Sequence, residues 1–239
     1  MTVWKSFGAS VIGPGHIRAR KPNQDAWLAF HHTWGDGIAV SDGLGSKALS
    51  EFGSYAACLA AASAVHACRD MAEMEYTFPF DRIKKNWLSL IAPLDSHDCS
   101  ATCLLVFRLA DGIIRTGMIG DGLIAILKTD GAVLSLTENK TSGFSNVTSA
   151  LSKNSTDKEW RFLDIQENIC RAVVICTDGV SDDLEDADGF IREFVEHSAD
   201  LACVSAARNT RNMLENWPTP GHSDDKTIVC LFRDEAGDE

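Results

Sequence analysis

Carboxylates that stand at the ends of apolar runs are the residues of this sequence best suited to chemistry. Asp42 follows such a run and is itself followed by Gly43-Leu44-Gly45, and Asp178 repeats the pattern before another glycine. Asp121 and Asp224 stand beside apolar runs in looser versions of it. An apolar run of this length is typical of a buried strand. Each acid is therefore expected at the rim of a core, where it can hold a cation and still be reached.

The ligand atoms decide which cation such a site prefers. Carboxylate oxygens, together with water, suit Mg²⁺ or Mn²⁺ better than zinc. Two of these ions a few ångströms apart can activate a water for in-line attack on phosphorus. Taken alone, Asp42 or Asp178 is equally well explained as a helix N-cap. Four such acids together favour the metal interpretation.

Other Asp-Gly pairs are interpreted as turns, because this dipeptide between apolar runs favours a hairpin. These pairs begin at Asp36, Asp111, Asp130 and Asp188. The sequence has no Ser-His-Asp spacing, no G-x-S-x-G elbow and no Walker loop. Gly43-Leu44-Gly45 is too short to count as a dinucleotide fingerprint.

Bulk composition disfavours several classes of protein. The 239 residues include 34 acidic and 22 basic side chains, and the net charge of −12 argues against a nucleic-acid surface. No apolar stretch reaches the ~18 residues of a membrane span, and the start of the sequence has no signal region. Of the eight cysteines, four lie inside apolar runs, and none form a C-x-x-C pair. These features predict a reduced, cytoplasmic protein that binds neither nucleic acid nor membrane.

The elements that would position the acids mix strands and helices. Strands are predicted at 2–12, 26–32, 37–42, 102–109, 113–119, 123–128, 133–136, 172–176 and 227–232, and helices at 48–69, 81–91, 186–197 and 201–217. Gly35-Asp36-Gly37 is interpreted as a hairpin turn, and the strands between 102 and 136 as one antiparallel meander. Paired helices and antiparallel strands indicate an α+β fold in which helices cover sheet faces. Residues 1–239 are expected to form one domain with a frayed acidic tail at about 233–239.

Six segments occur in an order that a known family shares. They are Arg20-Lys21-Pro22-Asn23-Gln24-Asp25; Asp42-Gly43-Leu44-Gly45, continuing to Ser50-Glu51-Phe52-Gly53-Ser54; Ser100-Ala101-Thr102; Ile119-Gly120-Asp121-Gly122; Thr177-Asp178-Gly179-Val180-Ser181-Asp182; and Asp224-Asp225-Lys226-Thr227. Taken together over nearly the whole chain, they resemble the motifs of the metal-dependent Ser/Thr protein phosphatases of the protein phosphatase 2C type. Each segment is weak alone, and their order carries the resemblance.

The resemblance implies a fold and a metal site. The fold is an α-β-β-α sandwich of two antiparallel sheets flanked by helix pairs, with two Mn²⁺ or Mg²⁺ ions at one end. Asp42 would bridge both ions, and the Gly43 carbonyl would hold one of them. Asp178 and Asp224 would hold the other, and Asp121 would help to hold a third, weaker ion of the kind that bacterial members often have.

The resemblance also implies an activity and its partners. The activity is hydrolysis of phosphoserine or phosphothreonine in proteins by a hydroxide that the metal pair activates. Asp25 would orient metal-bound water, and the Arg20 guanidinium would grip the substrate phosphate. A monomer that opposes a Ser/Thr kinase is expected, with a short flap-like loop at about 138–170.

Departures from the family pattern leave alternatives open. Gln24 replaces a glutamate, and Asp225 replaces an asparagine. Leu44 stands where the animal enzymes carry a histidine that is a candidate general acid, so the donor of the leaving-group proton is unassigned; His222 is a weak candidate. One alternative is a pseudophosphatase that acts as a binding or regulatory module. Another is a two-metal phosphoesterase that acts on a small molecule or nucleic acid.

Overall fold

The computed structural model describes residues 3–69, 79–138 and 149–234. The strands are β1 (Val3–Val11), β2 (Asp25–His32), β3 (Gly35–Asp42), β4 (Cys103–Leu109), β5 (Ile113–Ile119), β6 (Leu123–Lys128), β7 (Val133–Thr137), β8 (Arg161–Gln166), β9 (Cys170–Cys176) and β10 (Lys226–Asp234). The α-helices are α1 (Pro14–Ala19), α2 (Ser50–Cys68), α3 (Phe80–Ile91), α4 (Asp178–Ser181), α5 (Ala187–Ala199) and α6 (Cys203–Glu215).

The strands form two antiparallel sheets of five. The first sheet has the order β1-β10-β9-β6-β7 and the second β2-β3-β4-β5-β8. The two sheets pack face to face through a shared apolar layer. Helices α2 and α3 cover the outer face of the second sheet, and α5 and α6 cover that of the first. The predicted α-β-β-α sandwich is thereby confirmed.

Strand β4 shows why its sequence is apolar throughout. Successive side chains of a strand point to opposite faces. Leu104 and Val106 enter the layer between the sheets, whereas Leu105 and Phe107 pack under α2 and α3. Both faces of β4 are therefore covered, and a continuous apolar run replaces the usual polar alternation.

Helix α2 packs closely because its buried face is built from alanine and glycine. Ala57, Ala60, Ala61 and Ala64 have no exposed surface. A Cβ added at Gly53 would lie 1.7 Å from the carbonyl oxygen of Cys99, so no larger residue fits at that position without a shift of the backbone. The predicted Ala-rich helix is confirmed, with slightly narrower bounds.

The predicted meander is wrong at its centre. Strands β4 and β5 pair in one sheet, and β6 and β7 pair in the other. The segment around Asp121 therefore crosses from sheet to sheet instead of closing a hairpin. Gly120 and Gly122 flank it with positive φ angles of 109° and 102°, which only glycine adopts readily.

The predicted turn at Gly35-Asp36-Gly37 is also wrong, because these residues already belong to β3. Asp36 is 7% exposed, and its carboxylate accepts hydrogen bonds from His31 Nδ1 (2.8 Å) and Arg108 Nη1. These two partners explain how a charged residue is accommodated inside a strand. The turn predicted at Asp188 is also wrong, because Asp188 lies in the first turn of α5. Asp186 caps this helix, and its side chain accepts a hydrogen bond from the Gly189 N–H.

Among the helices and strands defined above, α1, the one-turn helix α4 and strand β8 were not predicted, and two predictions fall partly outside the described residues. Helix α1 begins at Pro14, where the sequence suggested only a break. Strand β8 lies within the loop predicted at about 138–170, so that loop is interrupted by an edge strand. Residues 139–148 of that loop and residues 235–239 of the predicted tail lie outside the described residues, whereas Arg233 and Asp234 end β10.

Candidate metal centre

The first acid of the site is held where two strands end together. Asp42 is the last residue of β3 and pairs with Asp25, the first residue of β2. The Asp42 N–H donates to Thr102 Oγ1 (2.8 Å), and the Asp42 carbonyl accepts from the Thr102 N–H (2.7 Å). These bonds fix the backbone from which the Asp42 carboxylate projects.

Three acids from distant parts of the chain converge at this end of the sandwich. Carboxylate oxygens of Asp42, Asp121 and Asp178 all lie within 4.8 Å of one another. Asp121 lies in the crossing between β5 and β6, and Asp178 is the first residue of α4, directly after β9. Asp224, which precedes β10, lies outside this 4.8 Å group but lines the same cavity.

This cavity has a volume of about 180 Å³. Its lining residues are His16, Gln24, Asp42, Gly43, Leu44, Gly45, Thr102, Asp121, Asp178 and Asp224. The Gln24 side chain is 3% exposed, and its Oε1 atom has no hydrogen-bond partner among the described residues. A buried carbonyl oxygen without a partner beside a group of carboxylates suits water or a cation.

Glycines let backbone segments approach one another around the cavity. A Cβ at Gly43 would lie 2.6 Å from the carbonyl oxygen of Ser50, at the start of α2. A Cβ at Gly179 would lie 1.9 Å from the carbonyl oxygen of Asp225. Close packing therefore requires a glycine directly after Asp42 and directly after Asp178, whatever further role the carbonyl groups of these glycines have.

Burial and like charge raise the pKa values of the acids. Burial, followed by the charge of Asp121, raises the pKa of Asp178 to about 7. Burial also raises the pKa of Asp42 well above its usual range, and neighbouring carboxylates add to this shift. For Asp25, burial raises the pKa to about 7, although hydrogen bonds such as that from Thr177 Oγ1 oppose the shift. A bound cation would reverse this penalty by neutralising the carboxylates.

Asp25 lies behind Asp42 and does not line the cavity in the described part of the chain. Its Oδ2 accepts from Thr177 Oγ1 at 2.9 Å, and Asp25 and Asp42 are directly opposite each other on strands β2 and β3. This position suits a residue that acts on the site through Asp42, in keeping with the indirect role predicted for it.

Arg20 is exposed and is not among the residues that line the cavity. It ends α1 in the left-handed conformation (φ 56°), and its N–H bonds to the carbonyls of His16 and Ile17. The next residue, Lys21, donates from Nζ to the Gly45 carbonyl at 3.0 Å. The sequence analysis therefore did not identify the positively charged side chain of Lys21 as part of the rim of the site.

A second contact that the sequence did not reveal joins two ends of the chain. His16 lines the cavity, and its Nδ1 lies 2.7 Å from Asp225 Oδ2. Asp225 Oδ1 accepts from the Gly13 N–H and Oδ2 from the Gln24 N–H, both at 2.6 Å. The sequence separation of 209 residues between His16 and Asp225 left no local pattern to detect. His222, the histidine considered from the sequence, is not among the residues that line the cavity.

The residues present fit a divalent metal centre. Every charged group that could coordinate an ion within the 4.8 Å group is a carboxylate, and oxygen ligands of this kind suit Mg²⁺ or Mn²⁺. The family model for protein phosphatase 2C matches residues 12–217, which is most of the chain. This chain belongs to the protein phosphatase 2C family. No curated protein matches the sequence.

Several solved structures share the fold at low sequence identity. A bacterial serine phosphatase superposes with a TM-score of 0.66 at 14% identity, covering 96% of this chain and 98% of that one. The catalytic domain of the serine/threonine protein phosphatase PstP, in complex with two manganese ions, gives 0.63 at 16% identity, covering 98% and 99%. RsbX in complex with magnesium gives 0.59 at 14% identity, covering 98% and 100%.

The described helices also bear on membrane association. Within residues 3–69, 79–138 and 149–234, no helix is both long enough and apolar enough to cross a bilayer.

Proposed function

We propose that this protein hydrolyses phosphoserine and phosphothreonine in proteins, with two Mn²⁺ or Mg²⁺ ions in the cavity at the end of the sandwich. The observation that carries the proposal is the convergence of Asp42, Asp121 and Asp178 within 4.8 Å in a family of metal-dependent phosphatases. When bound, the ions would supply an activated water and neutralise the charge of the phosphoryl group.

The chain's own residues divide the work of holding these ions. Asp42 is proposed as the ligand shared by the two ions, with Gly43 beside it. Asp178 and Asp224 are proposed for the second ion, and Asp121 for a third. The raised pKa values of Asp42 and Asp178 express how strongly this cluster disfavours its own charge until cations neutralise it.

Substrate recognition is proposed to involve the cations at the rim of the cavity. Arg20 would bind the substrate phosphate through two parallel hydrogen bonds, a geometry that a guanidinium supplies and an ammonium does not. Lys21, which is fixed on the Gly45 carbonyl, would add a second positive charge. The substrate proposed is a phosphorylated protein, and the enzyme is proposed to act as a monomer that opposes a Ser/Thr kinase.

The test is a metal-dependent assay with matched aspartate variants. Initial rates on p-nitrophenyl phosphate and on a phosphoserine peptide should require Mn²⁺ or Mg²⁺ and vanish with excess chelator. Asp42→Asn should lower both rates by more than the ~10–100-fold typical of changes to outer-shell partners of a metal. Asp188→Asn, at a side chain that is half exposed on α5, is the control and should retain the rates. Full activity of Asp42→Asn would refute the proposal.

A second candidate function is that of a pseudophosphatase. The neutral Gln24 amide, which lines the cavity in place of a carboxylate, favours it, because one negative charge fewer weakens cation binding. Calorimetric titration with Mn²⁺ separates the two functions. An active enzyme should bind Mn²⁺ and hydrolyse the peptide, whereas a binding module should show no tight metal site.

A further inference from the structure

The proposed reaction requires a proton donor for the leaving oxygen, and this inference rests on the proposed function. A serine or threonine alkoxide is a poor leaving group, and its protonation by a positioned acid typically contributes 10²–10⁴-fold to the rate. Leu44 lines the cavity beside Asp42, but its side chain carries no proton to give. The donor must therefore come from elsewhere on the cavity wall.

His16 is the titratable residue of the wall that the metal centre does not use. The other titratable residues that line the cavity are Asp42, Asp121, Asp178 and Asp224, all of which are proposed as ligands. The cavity has a volume of about 180 Å³, and His16 lines it together with the four acids, so a phosphoryl group bound at the acids lies in the cavity that His16 lines. His16 thus meets the first requirement of a general acid, which is reach.

The orientation of the His16 ring is fixed by Asp225. The side chain of Asp225 is 1% exposed, and both of its oxygens accept backbone N–H bonds, from Gly13 and Gln24. A carboxylate that already accepts two backbone N–H groups has no hydrogen to offer, so His16 Nδ1 is the donor in its contact with Asp225 Oδ2. His16 Nε2 makes no hydrogen bond to any described residue, and it is the ring nitrogen left for a ligand in the cavity.

We propose that His16, oriented by Asp225, protonates the leaving serine or threonine oxygen. The oxygen of the nucleophilic water forms a bond to phosphorus, and the bond between phosphorus and the seryl Oγ breaks with its electron pair on Oγ. The proton on His16 Nε2 passes to Oγ and gives the free hydroxyl group and a neutral imidazole. The proton lost by the nucleophilic water passes to solvent, and the imidazole regains one from solvent. His16 is thus assigned as a catalytic residue, and Asp225 as the residue that positions it.

The test compares a substrate that needs protonation with one that does not. A phosphoserine peptide releases an alkoxide, whereas p-nitrophenyl phosphate releases a phenolate that is stable near neutral pH. His16→Gln should lower kcat/KM for the peptide by about 10²–10³-fold and for p-nitrophenyl phosphate by less than about 10-fold. Asp225→Asn should show a peptide-specific loss of about 10-fold or more. His197→Gln, on the exposed face of α5, is the control and should leave both values unchanged.

Measurements that do not depend on turnover accompany the assay. Calorimetric titration should give the same Mn²⁺ affinity for His16→Gln and for the wild type. Long-range ¹H–¹⁵N correlation spectra should place the hydrogen of the neutral His16 ring on Nδ1 in the wild type. Circular dichroism and thermal melts establish that each variant is folded.

Several results would overturn the proposal, and they differ from a failure of the proposed function. Equal losses on both substrates would mean that His16 does not act on the leaving group. A collapse of Mn²⁺ affinity in His16→Gln would make His16 a metal ligand instead. A hydrogen on Nε2 in the neutral ring would contradict the assigned role of Asp225. If the wild type hydrolyses neither substrate, the proposed function fails, and the role of His16 falls with it.

Discussion

Replacing Asp178 by asparagine should stabilise the metal-free protein while removing its response to metal. Asp178 lies within 4.8 Å of Asp42 and Asp121. Burial, followed by the charges of Asp121, Asp224 and Asp182, raises the pKa of Asp178 from the ordinary 3.8 to about 7. Asparagine has nearly the same shape and carries no charge at any pH. The substitution therefore removes the cost of ionising Asp178 without opening a cavity.

The size of the effect follows from the pKa. A displacement from 3.8 to about 7 corresponds to a cost of about 4 kcal/mol when Asp178 is ionised in the folded state. Solvent screening at this partly exposed side chain reduces the figure, and we expect about 2 kcal/mol. For a chain of this length, such a gain raises Tm by roughly 4–8 °C.

The pH dependence follows from the direction of the shift. The folded pKa lies above the unfolded one, so the cost is absent below about pH 4, grows between pH 4 and pH 7, and is complete above pH 7. The stability advantage of Asp178→Asn in chelator should therefore be full at pH 8 and vanish near pH 4. Saturating Mn²⁺ should reverse the order at pH 8, because wild type gains about 2.7 kcal/mol at a metal concentration 100 times Kd, and the variant does not.

Urea unfolding and thermal melts in chelator and in Mn²⁺, at pH 8 and pH 4, test these expectations. Asp188→Asn, at a half-exposed aspartate, is the matched control and should follow wild type throughout. The electrostatic reasoning is refuted if metal-free Asp178→Asn is no more stable than wild type at pH 8. It is equally refuted if the advantage persists undiminished at pH 4.

Three further substitutions probe packing and the rim of the site. Gly53→Ala should lower the free energy of unfolding in urea by about 3 kcal/mol, because the added Cβ would lie 1.7 Å from the Cys99 carbonyl oxygen. The control, Ser63→Ala on the exposed face of α2, should change this free energy by less than about 0.5 kcal/mol. Arg20→Gly should raise the free energy of unfolding by about 0.5–1 kcal/mol, because glycine adopts the left-handed backbone at φ 56° without strain. The same substitution should raise KM for a phosphopeptide, and an unchanged KM would show that Arg20 does not bind the substrate. Trp87→Phe should lower the free energy of unfolding by about 1–3 kcal/mol, because the hydrogen bond from Trp87 Nε1 to the Gly53 carbonyl (3.0 Å) is lost. Calorimetry should show the wild-type Mn²⁺ affinity in this variant, and a change in affinity would contradict a purely structural role for Trp87.

The sequence was most informative where both faces of an element are buried. The apolar runs that became β4, β9 and β10 are continuous because helices cover one side and a second sheet the other. Edge strand β8 was missed because its exposed positions alternate with buried ones, as at Phe162 and Ile165, and its apolar signal is weak. Long apolar runs therefore revealed the core, and short half-buried segments did not reveal the edges.

The sequence predicted the aspartates of the candidate site but not the residues that hold other side chains in place around it. Asp42 and Asp178 could be recognised because each follows directly on a buried strand, a local property of the sequence. The contact between His16 and Asp225 could not, because it depends on how β10 and α1 meet in space. The turn prediction at Asp36 was wrong for the opposite reason. Its Asp-Gly dipeptide is typical of a turn, whereas its burial in a strand depends on hydrogen bonds with His31 and with Arg108, which is 72 residues away.

The ligand candidates are shared between the two sheets of the sandwich. Asp42 ends a strand of one sheet, whereas Asp178 and Asp224 flank strands of the other. An ion bound by Asp42, Asp178 and Asp224 would link the two sheets to each other at one end of the sandwich. Any substitution in the apolar layer that slides one sheet against the other would change the spacing of these oxygens. Metal affinity would then respond to residues that lie far from the cavity and touch no ion.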